Sequence, residues 1–402
     1  MVFDRKYQVR RLIAHSGSTL AATLAVQVST FIILLLSAQV LSTEQFARLS
    51  LIVAVSMMSS AFFELGLNVT ATKVFGESRD PGVFGVTMRI RLGLVLVALG
   101  CGAVFRGVAP VEFILGFTLG AVLNVWNGVR AEDQARQCFR EFAKNSLLLA
   151  VVRLVVALPL LFVLQDAIWV AIGIYFLPVA VVLIVSSAWR RLFTKGSDEL
   201  GVASVFAYAK YVYPNSLIFI ALPYLPQLLI AESLPVAAGA SYGLVIAFSG
   251  PVGLLIYSLR ATLLPKLFGQ NGSIEALLWS WRGFAILAIG WVFLMLFGIS
   301  LSTALDVLYG AKFFNIGEVF LIYFASTSFA GVIGIYGLSV HTLGVPRLSL
   351  SVSVGRLVGL VIGLLIFHET LIEVVVVVSC VMVLGEMVLV VLLARRRRRV
   401  GL

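Results

Sequence analysis

Stretches of about twenty apolar residues recur some twelve times along this chain, with polar residues gathered in the short links between them. A helix rising 1.5 Å per residue needs about 20 such residues to cross a hydrocarbon layer roughly 30 Å thick. The runs are continuous rather than alternating, so they predict membrane-crossing helices and not the strands of a barrel. Their centres fall near Gln27, Met57, Val97, Leu119, Val155, Ile174, Ile220, Gly250, Phe293, Ser328, Arg356 and Ser379. The pattern is that of an all-α integral membrane protein with no separate soluble domain. Pro214, Pro223 and Pro226 interrupt the seventh run and Pro251 the eighth. Proline removes a backbone hydrogen bond and bends a helix, so the seventh run is expected to be a bending or gating helix.

Composition agrees. Hydrophobic residues make up 60% of the chain and charged residues 12%, with a mean hydropathy of +1.06. A soluble core of this size could not hide that much apolar surface. The charges add an orientation. With twelve crossings and a cytoplasmic N-terminus, 24 of the 30 basic residues fall on the cytoplasmic side, Arg89, Arg91 and the run Arg395–Arg399 among them. Arg48, Arg106 and Lys312 fall outside, and Arg153, Lys210 and Arg356 within crossings. This bias predicts that both termini are cytoplasmic. The net charge of +11 therefore reports topology and contact with anionic membrane lipids, not nucleic acid.

Other chemistry is sparse. Cys101, Cys138 and Cys380 are far apart, and His15, His341 and His368 have no partner at metal-ligand spacing, so no metal site is expected. Neither a Walker-type phosphate loop nor a Gly-x-Ser-x-Gly elbow occurs. The chain is read as carrying no cofactor and no catalytic residue, hence as a non-enzyme. The first apolar run is too long for a removable signal peptide and lacks a small-residue cleavage site.

The two halves resemble each other at a constant offset of 193 residues. Ser50–Ser56 aligns with Gly243–Ser249, Lys73-Val74-Phe75-Gly76 with Lys266-Leu267-Phe268-Gly269, and Arg89 with Arg282. Six crossings separate the copies, so the halves share one orientation about an axis along the membrane normal, as in secondary transporters. The polar stretch Arg190–Gly201 divides them into six-helix bundles at 1–195 and 196–402.

Charges at membrane depth cost roughly 2.5–3.5 kcal/mol each on insertion scales, so each needs a reason. Arg356 lies about ten residues into its crossing, Arg153 at similar depth, and Lys210 about two turns into the seventh. Glu64 and Glu386 sit in the inner halves of the second and twelfth. These five groups fit internal ion pairs that hold helices together. They equally fit a cavity whose cations, Arg356, Arg153 and Lys210, receive an anionic head group, with Glu64 and Glu386 as candidate proton-coupling carboxylates. Gln27, Asn124, Asn127, Asn215 and Gln227 suit either sugar hydroxyls or contacts between helices.

One stretch is similar to a known family. It runs Leu41-Ser42-Thr43-Glu44-Gln45-Phe46-Ala47, then an apolar run, then Glu64-Leu65-Gly66-Leu67-Asn68-Val69-Thr70-Ala71-Thr72-Lys73. It resembles the first helical hairpin of polysaccharide and O-antigen flippases of the multidrug/oligosaccharidyl-lipid/polysaccharide exporter superfamily. Ala47 stands where that family usually has glycine. Ala240-Ser241-Tyr242-Gly243 and Leu263-Leu264-Pro265-Lys266 look like the family's helix 8. The resemblance implies two six-helix bundles in a V that open alternately to either face. It implies a polyprenyl-diphosphate-linked oligosaccharide as cargo in a bacterial inner membrane, for O-antigen, capsule or exopolysaccharide assembly. Proton or sodium coupling would go with it, and glycosyltransferases and a glycan polymerase would be its partners. A drug or cation exporter of the same fold, which would favour carboxylates in its cavity, is the alternative. A membrane-embedded glycan polymerase is disfavoured by the short outer links.

Overall fold

The computed structural model describes residues 2–78, 80–186, 189–190, 202–269, 278–343 and 346–399. The described residues form helices and no strand. In chain order these are α1 (Val2–Val40), α2 (Thr43–Glu64), α3 (Leu67–Ser78), α4 (Gly82–Val104), α5 (Val111–Ala135), α6 (Phe139–Leu164), α7 (Ala167–Tyr175) and α8 (Leu177–Val185). There follow α9 (Val202–Ser233), α10 (Val236–Gly269), α11 (Trp281–Tyr309) and α12 (Ile316–Ile333), which runs into a 3₁₀ turn at Gly334–Leu338. The last are α13 (Ser339–Thr342), α14 (Pro346–Ile366) and α15 (Leu371–Arg399).

Together they supply twelve segments long and apolar enough to cross a membrane, and every centre expected from hydropathy lies inside one of them. The helix starts at Thr43 and Val236 are separated by the 193 positions of the internal repeat. The chain divides into two compact units, Met1–Ile220 and Ala221–Leu402. Most of the polar link on which the sequence places the boundary, from Arg191 to Gly201, lies outside the described residues.

Local chemistry sets where several helices begin. Ser42 caps α2, its hydroxyl accepting from the Gln45 amide at 3.2 Å, while the Gln45 side chain accepts from the Ala167 amide at 2.9 Å and ties α2 to the start of α7. Asp166 caps α7 through the Ile168 and Trp169 amides. Thr370 and Glu373 bond each other's amides in a reciprocal capping box at the start of α15.

Lipid is as apolar as leucine, so packing within each unit depends on close approach rather than on hydrophobic drive. In the first unit α2 lies along α5, and a Cβ at Gly116 or Gly120 would come within 2.7 Å of Val55 or 2.6 Å of the Ser56 carbonyl. Val26, Val125, Trp126, Val129, Leu149 and Val182 form the main core of this unit. The second unit is held by aromatics: Phe248 meets Tyr309 and Phe320 edge to face, and the Phe320 and Phe324 rings lie 5.1 Å apart. Such pairs add about 0.5–1.5 kcal/mol each beyond burial. In α11 only 6% of the crossing window is buried by protein, so its hydrophobicity matches lipid and not a core.

The prolines of the seventh and eighth runs do not interrupt their helices. α9 stays helical through Pro214, Pro223 and Pro226, and α10 through Pro251. The second crossing, Thr43–Phe75, is interrupted instead at Leu65 and Gly66, whose φ values are 49° and 72°. The sixth, Ala167–Val185, is interrupted at Phe176, between α7 and α8. Neighbouring helices re-satisfy a proline-containing helix, whereas a left-handed pair of residues ends the α-helical ladder outright.

Candidate functional site

Among the described residues, polar side chains gather within the crossings of both units. A first site surrounds the break in the second crossing. With the ladder interrupted, carbonyls near the end of α2 and amides at the start of α3 need other partners. The Asn124 amide group donates to the Phe63 carbonyl at 2.8 Å, and the Tyr213 hydroxyl to the Phe62 carbonyl at 3.0 Å. The Asn68 amide donates to the Glu64 carboxylate at 3.0 Å. Arg91 closes the network: Nη1 donates to the Asn124 carbonyl at 2.7 Å and to its side-chain oxygen, and Nη2 donates to the Asn68 side-chain oxygen at 2.8 Å. Its Nε lies where a Cβ on Gly128 would sit 2.6 Å away. Glu64, half-buried, acts electrostatically on both Arg91 and Tyr213. Gly66 is pressed against Ala209 of α9, where an added Cβ would approach to 2.9 Å.

Arg91 corrects the charge map. The sequence reading counts it with the cytoplasmic loop cations, but it is the tenth residue of α4 and 1% exposed. The signal was present in Asp80-Pro81. The Asp80 carboxylate accepts from the Gly82 amide at 2.7 Å and starts the helix early, which places Arg91 about 14 Å along α4 from its first residue.

Arg153 has a different set of contacts. Pro178 has no N–H, so the Ile174 carbonyl has no helical donor four residues on. Arg153 Nε donates to that carbonyl at 2.9 Å. Its Nη1 donates to the Val26 carbonyl at 3.1 Å and to the Thr30 hydroxyl, and its guanidinium lies over the Tyr175 ring. These bonds bind α6, α7 and α1 to one another. Lys210 lies in α9, and its side chain is outside the described residues.

The second site joins two of the predicted residues. Arg356 on α14 and Glu386 on α15 pair at 3.1 Å between Nη2 and Oε1, and they are 9% and 8% exposed. The arginine lies across Gly385, where any Cβ would collide with its Nε. The contact with Glu386 is an ion pair by distance, and both Nε and Nη2 are buried without a hydrogen-bond partner among the described residues. Alongside runs a cavity of about 450 Å³ between the two helices, which Arg356 lines. Thus Arg356 is brought together with Glu386 in the second unit, Glu64 and Arg91 share Asn68 as a partner in the first, and Arg153 belongs to neither set.

Of the amide side chains, Asn124 supports the helix break, Asn127 reaches the Ser60 hydroxyl at 3.3 Å, and Gln227 donates to the Gly239 carbonyl at 2.9 Å. All three join helices. A pair outside the five, Arg48 and Glu112, links the starts of α2 and α5 at 2.6 Å. Among the described residues no group of three or more histidine, cysteine or carboxylate side chains is placed to hold a metal ion.

Neither a protein-family model nor a curated relative matches the sequence. Solved structures do match in fold. An inward-facing multidrug-resistance MATE family transporter of the MOP superfamily is 14% identical, with a TM-score of 0.68 over 96% of this chain and 95% of that one. A mutant of the Vibrio cholerae MATE transporter VcmN is 12% identical, with a TM-score of 0.58 over 97% of both chains. The MATE transporter ClbM in complex with Rb⁺ is 15% identical, with a TM-score of 0.55 over 96% of this chain and 93% of that one.

Proposed function

We propose that the chain, a multi-pass membrane protein with the MATE transporter fold, is a flippase for a polyprenyl-diphosphate-linked oligosaccharide in surface-polysaccharide assembly. It would work by alternating access of its two halves in a bacterial inner membrane, with both termini cytoplasmic. The observation that carries the reading is Arg356. It is a guanidinium near the middle of a membrane helix, in an ion pair with Glu386 and lining a cavity, with neither Nε nor Nη2 hydrogen-bonded among the described residues. A cation at that depth lowers the cost of passing a phosphate through hydrocarbon, and arginine's fork suits phosphate oxygens. The resemblance of Glu64-Leu65-Gly66-Leu67 to the polysaccharide-flippase motif supports the same cargo, and that motif is where the second crossing breaks. Glu64 is the better candidate for proton or sodium coupling. It is only half-buried, while Glu386 is held by Arg356.

A second reading, export of an organic cation, draws on the multidrug transporter among the solved neighbours, with Glu64 as the cargo carboxylate. Proteoliposomes separate the two. Flipping of a fluorescent prenyl-diphosphate disaccharide should proceed in the wild type. It should fall at least tenfold in the Arg356→Gln/Glu386→Gln pair, which keeps the two side chains matched. Uptake of a dye cation with no flipping would overturn the lipid-cargo reading in favour of the second.

A further inference from the structure

One end of the second unit is crowded with cations. α15 runs past its apolar stretch and stays helical to Arg399. Its five terminal arginines do not behave alike. Arg397 turns inward, its guanidinium 5.6 Å from the centre of the Trp279 ring, while Arg395, Arg396, Arg398 and Arg399 are exposed. Trp279 is itself fixed. Its Nε1 donates to the Ser339 hydroxyl at 3.0 Å, and the Tyr336 ring meets it edge to face. It packs against a small core of Val340, Val352, Leu389 and Leu393, which joins α13, α14 and the end of α15 at this indole.

The start of α11 adds to the cluster. The Ser280 hydroxyl caps α11 by accepting from the Gly283 amide at 3.2 Å, which sets Trp281 and Arg282 in the first turn, two and three residues after the indole that Arg397 covers. Trp281 is 75% exposed, and the Arg282 guanidinium lies over its ring at 5.9 Å. Neither Arg282 nor any exposed arginine of the α15 end forms an ion pair among the described residues. Arg395, Arg398 and Arg399 stand three and four positions apart on one face, where like charges repel. The dipole of the helix end offsets part of that repulsion, and anions from outside the chain would remove the rest.

We propose that this basic collar binds the headgroup of an anionic phospholipid with two phosphates, one at Arg282 and the other at the exposed face of α15. The proposal does not depend on what the protein transports. Position selects a lipid over an acidic protein or a nucleic acid. The cations stand at the first residues of one membrane crossing and the last of another, at the level of lipid phosphates. An exposed indole suits the same level. Beyond it α11 offers a surface for acyl chains: only 6% of its crossing window is buried by protein, and Phe284, one turn after Trp281, is exposed. Two phosphates are favoured over one because the cations come from two helices. A single headgroup that bridges them neutralises both groups and ties the end of α15 to the start of α11 across Trp279.

The test is binding to the purified full-length protein in detergent, read by native mass spectrometry with cardiolipin, phosphatidylglycerol and phosphatidylcholine. The wild type should bind cardiolipin at least tenfold more tightly than phosphatidylglycerol, with phosphatidylcholine weakest. Arg282→Gln should bring cardiolipin down to the level of phosphatidylglycerol. Arg395→Gln/Arg398→Gln/Arg399→Gln should weaken both anionic lipids at least tenfold, and Arg395→Lys/Arg398→Lys/Arg399→Lys should retain them, since the charge is kept. Arg397 and Trp279 are untouched in all of these variants. Arg282→Gln leaves the terminal run intact and decides the matter alone if the glutamine triple variant fails to insert. Equal binding of cardiolipin and phosphatidylglycerol by the wild type overturns the proposal, as does a cardiolipin preference that survives Arg282→Gln. Displacement of cardiolipin by polyglutamate at matched charge would also overturn it, and would assign the collar to an acidic protein.

Discussion

Arg153 and Arg356 are both buried arginines at mid-depth, yet their chemistry differs because their partners differ. Arg153 supplies the donor that Pro178 lacks, so one part of its contribution to stability is the bond to the Ile174 carbonyl, beside those to Val26 and Thr30. A charge-assisted hydrogen bond of this kind contributes about 1.5–3 kcal/mol. Arg153→Met should lower the melting temperature in detergent by that equivalent. The loss should shrink in a Pro178→Ala background, where residue 178 regains an amide proton for the orphaned carbonyl. Equal losses in the two backgrounds would show that the bond to Ile174 is not what Arg153 contributes. The depth of both arginines is legible in the sequence, because it needs only a count of residues from a helix start. Their partners are not: Ile174, Val26 and Glu386 are 21, 127 and 30 positions away, and only packing brings them near.

Among the elements, the second crossing is the most informative. Residues with positive φ are costly unless glycine, and Leu65 keeps that conformation beside Gly66 because the surroundings satisfy the freed groups. Asn124, Tyr213 and Glu64 supply those bonds from α5, α9 and α2, and Arg91 of α4 holds the Asn124 and Asn68 side chains in place. Gly66→Ala adds both left-handed strain and a 2.9 Å approach to Ala209, so it should destabilise the protein by about 1–3 kcal/mol. Thermal unfolding in detergent measures it, and an unchanged melting temperature would mean that α3 and α9 part freely at that point. Proline content pointed to the seventh crossing instead. The three prolines leave α9 α-helical, since each removes one backbone bond and the rest of the ladder holds, whereas the break in the second crossing falls at Gly66, a glycine just past the end of α2. Asn and Gln side chains within crossings are ambiguous for a similar reason. Whether Asn124 meets a sugar or a backbone carbonyl depends on which helix lies opposite.

At the scale of the whole molecule, orientation follows from charge. If both termini are cytoplasmic, the exposed Cys138 between α5 and α6 faces the cytoplasm. In a Cys101→Ala/Cys380→Ala variant, a membrane-impermeant maleimide should leave Cys138 unlabelled in intact cells and label it after permeabilisation. Labelling of intact cells would reverse the topology. The number, length and order of the crossings were determined by the sequence alone, as was the 193-residue spacing between the helix starts at Thr43 and Val236. Hydropathy and the length needed to cross a bilayer are local sums over consecutive residues, so no knowledge of neighbours is required. The pairing of Arg356 with Glu386, the burial of Arg91 and the break at Leu65 were decided only by the tertiary structure. Each depends on which helix face meets which. Within a membrane that choice rests on close packing and on buried polar bonds, and hydropathy says nothing about either.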